Sequence, residues 1–297
     1  MALRLRPRGL LILPVALSAA VLARPYAAPA EQAPEKSIYV TVIDDASKPV
    51  TGLTAADFGV REDNVIREVT GVKPATEPLF VVLLADTTEH VKDAVRDIRT
   101  SMTTFVRDLL TASPESQIQL GEFQGASTVR VKFTPKVPDL EKAITRLFPQ
   151  PDTTSVIFEA IVDASKDLGK RPSPRRAIVS VNMEPTPEQS QLQPKDILNE
   201  VMRSGASLWA ISVQTGSNRN VARDQVLSGL AANTGGMRQN IITASSLENW
   251  MKIVASCLTS QYAVTYRRPD ATPAKVVQVA LRQGLPHKAL ASFAAPK

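Results

Sequence analysis

The stretch Val81–His90, VVLLADTTEH, is an apolar run that ends in an acid, two hydroxyls, a second acid and a histidine. Carboxylate and hydroxyl oxygens at the carboxyl end of a buried strand are the donors that a hard divalent cation takes. Asp86 and Thr88 therefore read as half of a metal site. The same stretch allows a second chemistry. Asp86 and His90 stand four residues apart, a spacing that can place both on one helical turn as an acid–base pair. A transition metal on His90 and Asp86 alone would have too few protein ligands. A structural role is also open to Asp86, which suits the cap of a following helix.

Other chemistry is not written in the chain. There are two histidines, His90 and His287, so a Ser-His-Asp triad would have to use one of them. No G-x-S-x-G elbow is present. The one cysteine, Cys257, leaves no internal disulfide. It lies in LENWMKIVASCL, where Leu247, Trp250, Ile253, Val254 and Leu258 share its helical spacing, which is the setting of a small core residue. Neither glycine-rich phosphate cradle follows any strand. Thr234-Gly235-Gly236 reads as a helix C-cap. The acidic pairs Asp44-Asp45 and Glu62-Asp63 fall in β turns and read as solvated. The basic pairs Arg175-Arg176 and Arg267-Arg268 read as solvated edges.

The net charge of +6 includes Arg4, Arg6, Arg8 and Arg24, which lie in the first thirty residues without an acid among them; removing those four leaves +2. No clustered basic face remains, so nucleic acid is not an expected partner. Arg4, Arg6 and Arg8 precede the apolar run Leu10–Leu22, and Ala28-Pro29-Ala30 follows it. This is the pattern of a secretory leader over residues 1–30, with 31–36 as a linker. Cleavage after Ala20 or Ala23, or retention as an anchor, are the alternatives. No second run of about 18 apolar residues follows, so no membrane span is expected in the mature chain. The periplasm, the cell surface and the medium are all open destinations.

The elements that must position Asp86 follow from the apolar rhythm. Residues 37–74 alternate in short runs broken by Pro, Gly and Asp-Asn, which predicts strands and turns. After the linker KPATEP, strands alternate with helices from 77 to 258. Val91, Ala94, Val95, Ile98, Met102, Phe105, Val106 and Leu109 make one apolar helical stripe. Such alternation predicts an α/β domain, a doubly wound and mostly parallel sheet with its site at the carboxyl ends of the strands. Residues 259–297 return to β texture. Neither terminal β segment can bury a core alone, so the two are expected to pair into one small β module.

In this order the segments resemble the von Willebrand factor A-related proteins common in acidobacteria and allied soil bacteria. VTVIDDASKPVTGLTAADFGVREDN is similar to that family's opening, and LFVVLLADTT resembles the first strand of an A domain. TTSVIFEAI resembles its Gly-Gly-Thr-x-Leu-Tyr-Asp-Ala-Ile segment, RRAIVSV its fourth strand, LAANTGGMR its late Thr-Gly-Gly turn, and QYAVTYRRPD its closing strand. The resemblance implies a Rossmann-like fold and a metal-ion-dependent adhesion site: Mg²⁺ on Asp-x-Ser-x-Ser, a Thr and a second Asp, with one position open to an acid on a partner protein.

Carried over, Asp86 is the first Asp, Thr88 stands for the first Ser, and Ser155 takes the Thr position. His90 replaces the second Ser, and imidazole suits Mg²⁺ poorly. Asn182 and Met183 stand where Thr-Asp is expected, and Glu184 follows one residue on. The surviving metal donors are thus Asp86, Thr88 and Ser155, a degenerate set. No cofactor is expected, Mg²⁺ being the ion that these donors would accept. The functional expectation is an exported, non-enzymatic binding or scaffold protein with a protein partner. The alternative is a small-molecule binder or hydrolytic enzyme using Asp86 and His90.

Overall fold

The computed structural model describes residues 33–184, 186–214, 220–269 and 274–295. The leader expected over residues 1–30, and residues 31 and 32 of the linker, lie outside them. Ala33–Lys297 fold as one compact unit.

The chain enters through β1 (Glu35–Ile43), so the linker expected through residue 36 ends sooner. The strands β2 (Phe58–Glu62), β3 (Val65–Arg67) and β4 (Val69–Pro74) complete the first β segment. The α/β part then runs β5 (Phe80–Asp86), α1 (Val95–Ala112), β6 (Gln117–Gln124), β7 (Ala126–Thr134), α2 (Val137–Ile144), α3 (Ile157–Gly169), β8 (Arg176–Glu184), α4 (Pro194–Ser204), β9 (Ala206–Gln214), α5 (Val221–Thr234), β10 (Met237–Ile241) and α6 (Leu247–Thr259). The chain closes with β11 (Tyr262–Arg267), β12 (Val277–Leu281) and β13 (Lys288–Ala291). Among the described residues no helix is long and apolar enough to cross a membrane.

The central sheet has the order β10-β9-β8-β5-β6-β7. Its first five strands run parallel, and β7 returns antiparallel at the edge. Every residue of β5 is buried, as a central parallel strand covered on both faces requires. One face packs Val81, Leu83, Val179 and Trp209 against Met102, Phe105 and Leu109 of α1 and Met251 and Val254 of α6. The other packs Val82, Leu84, Ile178 and Leu208 against α3, α4 and α5. This is a mixed, mostly parallel α/β sheet. Pro194 opens α4 at its first turn, where a missing N–H costs nothing. Gly205 ends it at φ +70°.

The two terminal segments pair with each other. β1 lies antiparallel between β11 and β13, and β4 adds beside β11. A second sheet, β12-β2-β3, covers them. Val40, Val42, Phe58, Val60, Val264 and Tyr266 form the core between.

Three charged residues that read as solvated are buried here or at the junction. Glu62, Arg268 and Arg175 are 0%, 4% and 3% exposed. The cause for Glu62 is strand alternation: Phe58, Val60 and Glu62 point inward along β2. Its carboxylate accepts from Arg268 Nε at 3.0 Å, from Arg67 Nε at 3.2 Å and from the Tyr266 hydroxyl. Burial pushes its carboxyl up, but the bonds from Arg268 and Tyr266 and the charges of Arg268 and Arg67 outweigh that and hold it below the usual range.

The Glu62→Gln variant should lose about 3–5 kcal/mol at neutral pH, since it removes the buried charge that Arg268 and Arg67 bond. A carboxyl held low contributes stability above about pH 4.3, and that contribution fades as pH falls through the folded-state value. The gap between wild type and variant should therefore close on acidification. Urea midpoints at neutral and acid pH measure this, and a gap independent of pH would refute it.

Candidate functional site

The parallel strands deliver their carboxyl ends to one rim, and Asp86 is the last residue of β5. Asp86 and Thr88 are 1% and 0% exposed. Asp86 Oδ1 accepts from the Thr88 N–H at 2.9 Å and from the Thr88 hydroxyl at 2.7 Å. This is an aspartate-stabilised turn. Oδ2 accepts from the Met183 N–H on β8 at 3.0 Å. Burial pushes this carboxyl above the usual range, against the bonds from Met183 and Thr88 and the charge of Arg223. Asp86 does not cap α1, whose N-cap is Ala94.

His90 lies in a short 3₁₀ turn, Glu89–Val91. Its buried Nδ1 has no hydrogen-bond partner. Both Asp86 oxygens are engaged by Thr88 and Met183, and no hydrogen bond joins Asp86 to His90.

Ser155 is fully buried but faces a different neighbour. Its N–H donates to the Pro187 carbonyl at 2.8 Å, and its carbonyl accepts from Gln189 N–H at 2.9 Å. Its hydroxyl donates to Glu188 Oε2 at 2.7 Å. Burial pushes the Glu188 carboxyl up, against the bonds from Ser190 and Ser155 and the charge of Arg223. Asn182 donates to Ser212 Oγ at 3.0 Å, while its buried Oδ1 has no partner.

Glu184 ends β8 and turns inward to an arginine. Arg223, in the first turn of α5, is 1% exposed. Its Nε donates to Glu184 Oε1 at 3.0 Å, and its Nη2 lies 2.6 Å from Glu184 Oε2. Nη2 also donates to the Met183 carbonyl at 3.0 Å, and Nη1 lies 3.5 Å from Glu188 Oε2. Asn220 caps α5 by accepting from the Arg223 N–H at 3.0 Å, and its own N–H donates to Glu184 Oε2 at 3.2 Å. Two networks thus meet at Met183, whose N–H serves Asp86 and whose carbonyl serves Arg223.

Sequence reading singled out neither Arg223 nor Glu188. A signal for Arg223 was present: it shares a helical stripe with the buried Leu227, Leu230, Ala231 and Thr234. Glu188 sits in an irregular loop and carries no such pattern.

Mg²⁺ requires near-octahedral oxygens converging on one point. Here Asp86 and Thr88 bond each other, and Ser155 bonds Glu188. Among the described residues no group of three or more His, Cys, Asp or Glu could hold a metal. The donors as arranged do not fit a divalent ion. One cavity of about 1010 Å³ lies against Gly235, Arg238 and His287, and another of about 530 Å³ lies at the amino ends of the strands near Tyr39 and Arg176. Neither is lined by Asp86, Thr88, His90 or Ser155.

No protein-family model matches this chain, and no curated protein does. Solved structures match in fold. A von Willebrand factor type A protein from Catenulispora acidiphila matches over 88% of this chain and 73% of its own, at 8% identity and a TM-score of 0.50. Proximal thread matrix protein 1 of the mussel byssus, solved with a zinc-occupied MIDAS motif, matches over 66% of this chain at 13% identity and a TM-score of 0.52. This chain spans 50% of that protein's length. The minor pilin PilB of Streptococcus sanguinis matches over 63% of this chain and 62% of its own, at 10% identity and a TM-score of 0.50. At such identities the likeness is one of fold: the α/β part has the von Willebrand factor A-type fold.

Proposed function

We propose that this chain is an exported, non-enzymatic protein-binding protein of the acidobacterial von Willebrand factor A-related type, its adhesion site reduced. The crown of loops at the carboxyl end of the central sheet takes the partner. The β module and the α/β part act as one rigid base beneath it.

The observation that carries this reading is the character of the rim. The carboxylates of Asp86, Glu184 and Glu188 and the hydroxyls of Thr88 and Ser155 are engaged with protein partners, whereas large apolar side chains stand outward. Phe148, just before the bridge between Gln150 and Thr88, is 55% exposed; Val221, the first residue of α5, is 51% exposed; Ile242, directly after β10, is 81% exposed. Arg99 lies 4.4 Å from the centre of the Phe148 ring, which helps to fix it. Apolar and aromatic side chains presented by loops on a rigid sheet are what a protein interface uses.

The test is cross-linking and affinity capture from envelope extract, with mass spectrometry. The wild-type chain is compared with Phe148→Asp/Val221→Asp/Ile242→Asp and with a β3 control, Val65→Asp/Ile66→Asp. Interface anchors are each worth more than about 1 kcal/mol, so the rim variant should lose at least roughly tenfold in capture. The control should retain it, and both should melt like wild type. Capture kept by the rim variant and lost by the control would move the interface to the β module.

A further inference from the structure

The cavity of about 1010 Å³ against Gly235 and His287 runs between two open strand edges. β10 ends the six-stranded sheet, and β13 ends the four-stranded one. Among the described residues β10 pairs with β9 alone and β13 with β1 alone. Both strands line the cavity, residues 237–240 from β10 and 288–291 from β13. The two chains touch at one end of it. Thr234 forms an antiparallel bridge with Ser292, Phe293 N–H donates to the Asn233 carbonyl at 2.9 Å, and a Cβ on Gly235 would lie 2.5 Å from Ala291. Beyond that contact they part into separate sheets, and the gap left between them is the cavity. An open edge carries a row of unpaired N–H and C=O groups, which proteins ordinarily cover or blunt. Here two such rows border one cleft.

We propose that this cleft takes an extended, uncharged segment of a partner protein as an added strand, bonded to β10 on one side and to β13 on the other. Extended backbone offers donors and acceptors along both of its edges, whereas a helix spends them on itself. Strand addition draws its affinity from those main-chain bonds and its selectivity from the places given to alternate side chains. The cleft has apolar walls for such side chains: Met237, Val279 and Leu285 are half-buried in it, and Phe293 is 39% exposed. Two cations, Arg238 and Lys288, and two carboxylates, Asp44 and Asp45, line it. These charges balance, and a guest of either sign gains nothing from them. β10 and β13 leave their contact in opposite chain directions, so the guest runs parallel to one and antiparallel to the other. The cleft lies between the α/β part and the β module, away from the crown. Its test uses synthetic peptides and does not depend on the crown's partner.

The probe is a panel of end-blocked hexapeptides that alternate threonine with valine, leucine or phenylalanine. Calorimetry against the full chain should find a member that binds one to one, with a dissociation constant on the order of 10–100 µM. Hydrogen exchange should then slow at backbone amides in both 237–241 and 288–291. Methylating alternate peptide nitrogens removes the donors of one edge and should weaken binding at least roughly tenfold. Glutamate or lysine in place of the central threonine should not tighten it; binding about tenfold tighter with either would overturn the uncharged assignment. No member binding below about 1 mM, or binding that leaves the amides of either strand unprotected, would overturn strand addition. The chain alone should sediment as a monomer. A dimer in which both strands are already protected would overturn the partner protein and give the cleft to a second copy.

Discussion

Replacing Gly236 by alanine should destabilise the protein by about 4 kcal/mol or more, a large part of the 5–15 kcal/mol that holds a typical domain folded. A Cβ on Gly236 would lie 1.8 Å from the Leu208 carbonyl oxygen and 2.5 Å from its carbon. Those atoms belong to the backbone of β9, between β8 and β10, and cannot swing aside as a side chain could. The preceding glycine is confined as well. Gly235 ends α5 at φ +76°, and a Cβ there would lie 2.5 Å from Ala291 of β13. The turn is thus pressed between the central sheet and the β module. Its own bonds fix it in place: Thr234 Oγ1 accepts from the Leu208 N–H at 2.9 Å, and Phe293 N–H donates to the Asn233 carbonyl at 2.9 Å.

The internal control is Gly229→Ala, one helix turn and more upstream in α5. Nothing lies within 4 Å of a Cβ at that position. Alanine there should stabilise by about 0.5–1 kcal/mol, the ordinary gain inside a helix. Urea midpoints at unchanged slope give both values. A Gly236→Ala protein within about 1 kcal/mol of wild type would mean that the turn parts from β9 without resistance, against the close packing described here.

Arg175→Ala should cost about 3–5 kcal/mol, because it strips donors from several buried acceptors at once. Arg175 Nη1 donates to the carbonyls of Ala75 at 3.2 Å and Glu77 at 2.6 Å, Nη2 to the Leu258 carbonyl at 2.6 Å, and Nε to Gln261 Oε1 at 3.2 Å. Ala75 and Glu77 lie where the chain leaves the first β segment for β5. Leu258 and Gln261 lie where it leaves α6 for β11. One side chain therefore ties both crossings between the α/β part and the β module. It also satisfies a carbonyl of the last turn of α6, which has no partner within the helix. Burial lowers the pKa of this guanidinium, against the charge of Glu77. Arginine nevertheless stays charged at any ordinary pH. Arg175→Lys should recover less than half of the loss, since a single ammonium cannot span these acceptors. Limited proteolysis supplies the local readout. Cleavage near residues 73–78 should accelerate in the alanine variant beyond what its global stability explains. Unchanged cleavage there, with an unchanged urea midpoint, would refute the role.

The elements around the candidate site were largely legible. The apolar stripe through Ile98, Met102, Phe105 and Leu109, and the unbroken run Phe80–Ala85, each point to one way of burying a surface. Pro194 and the Thr-Gly-Gly turn marked helix ends for local steric reasons. Ser155 stands at its site position by likeness to a motif alone, and its hydroxyl bonds Glu188. His90 was read as one half of a pair, yet the Asp86 oxygens are turned to Thr88 and Met183. The helical stripe marks Arg223 as buried, but a single arginine in a helix carries no sign of its partner.

What this sequence determines by itself is where apolar surface must be hidden, and so the order of strands and helices and the parallel sheet they build. That information is local, repeating every two or every 3.6 residues. What only the tertiary structure decided is the fate of the charges. Glu62, Arg175, Arg223 and Arg268 are buried because partners from distant parts of the chain meet them there, Arg268 coming to Glu62 across 206 positions of sequence and Arg223 to Glu184 across 39. A charge is neutralised by whatever lies next to it in space, and no period along the chain records that.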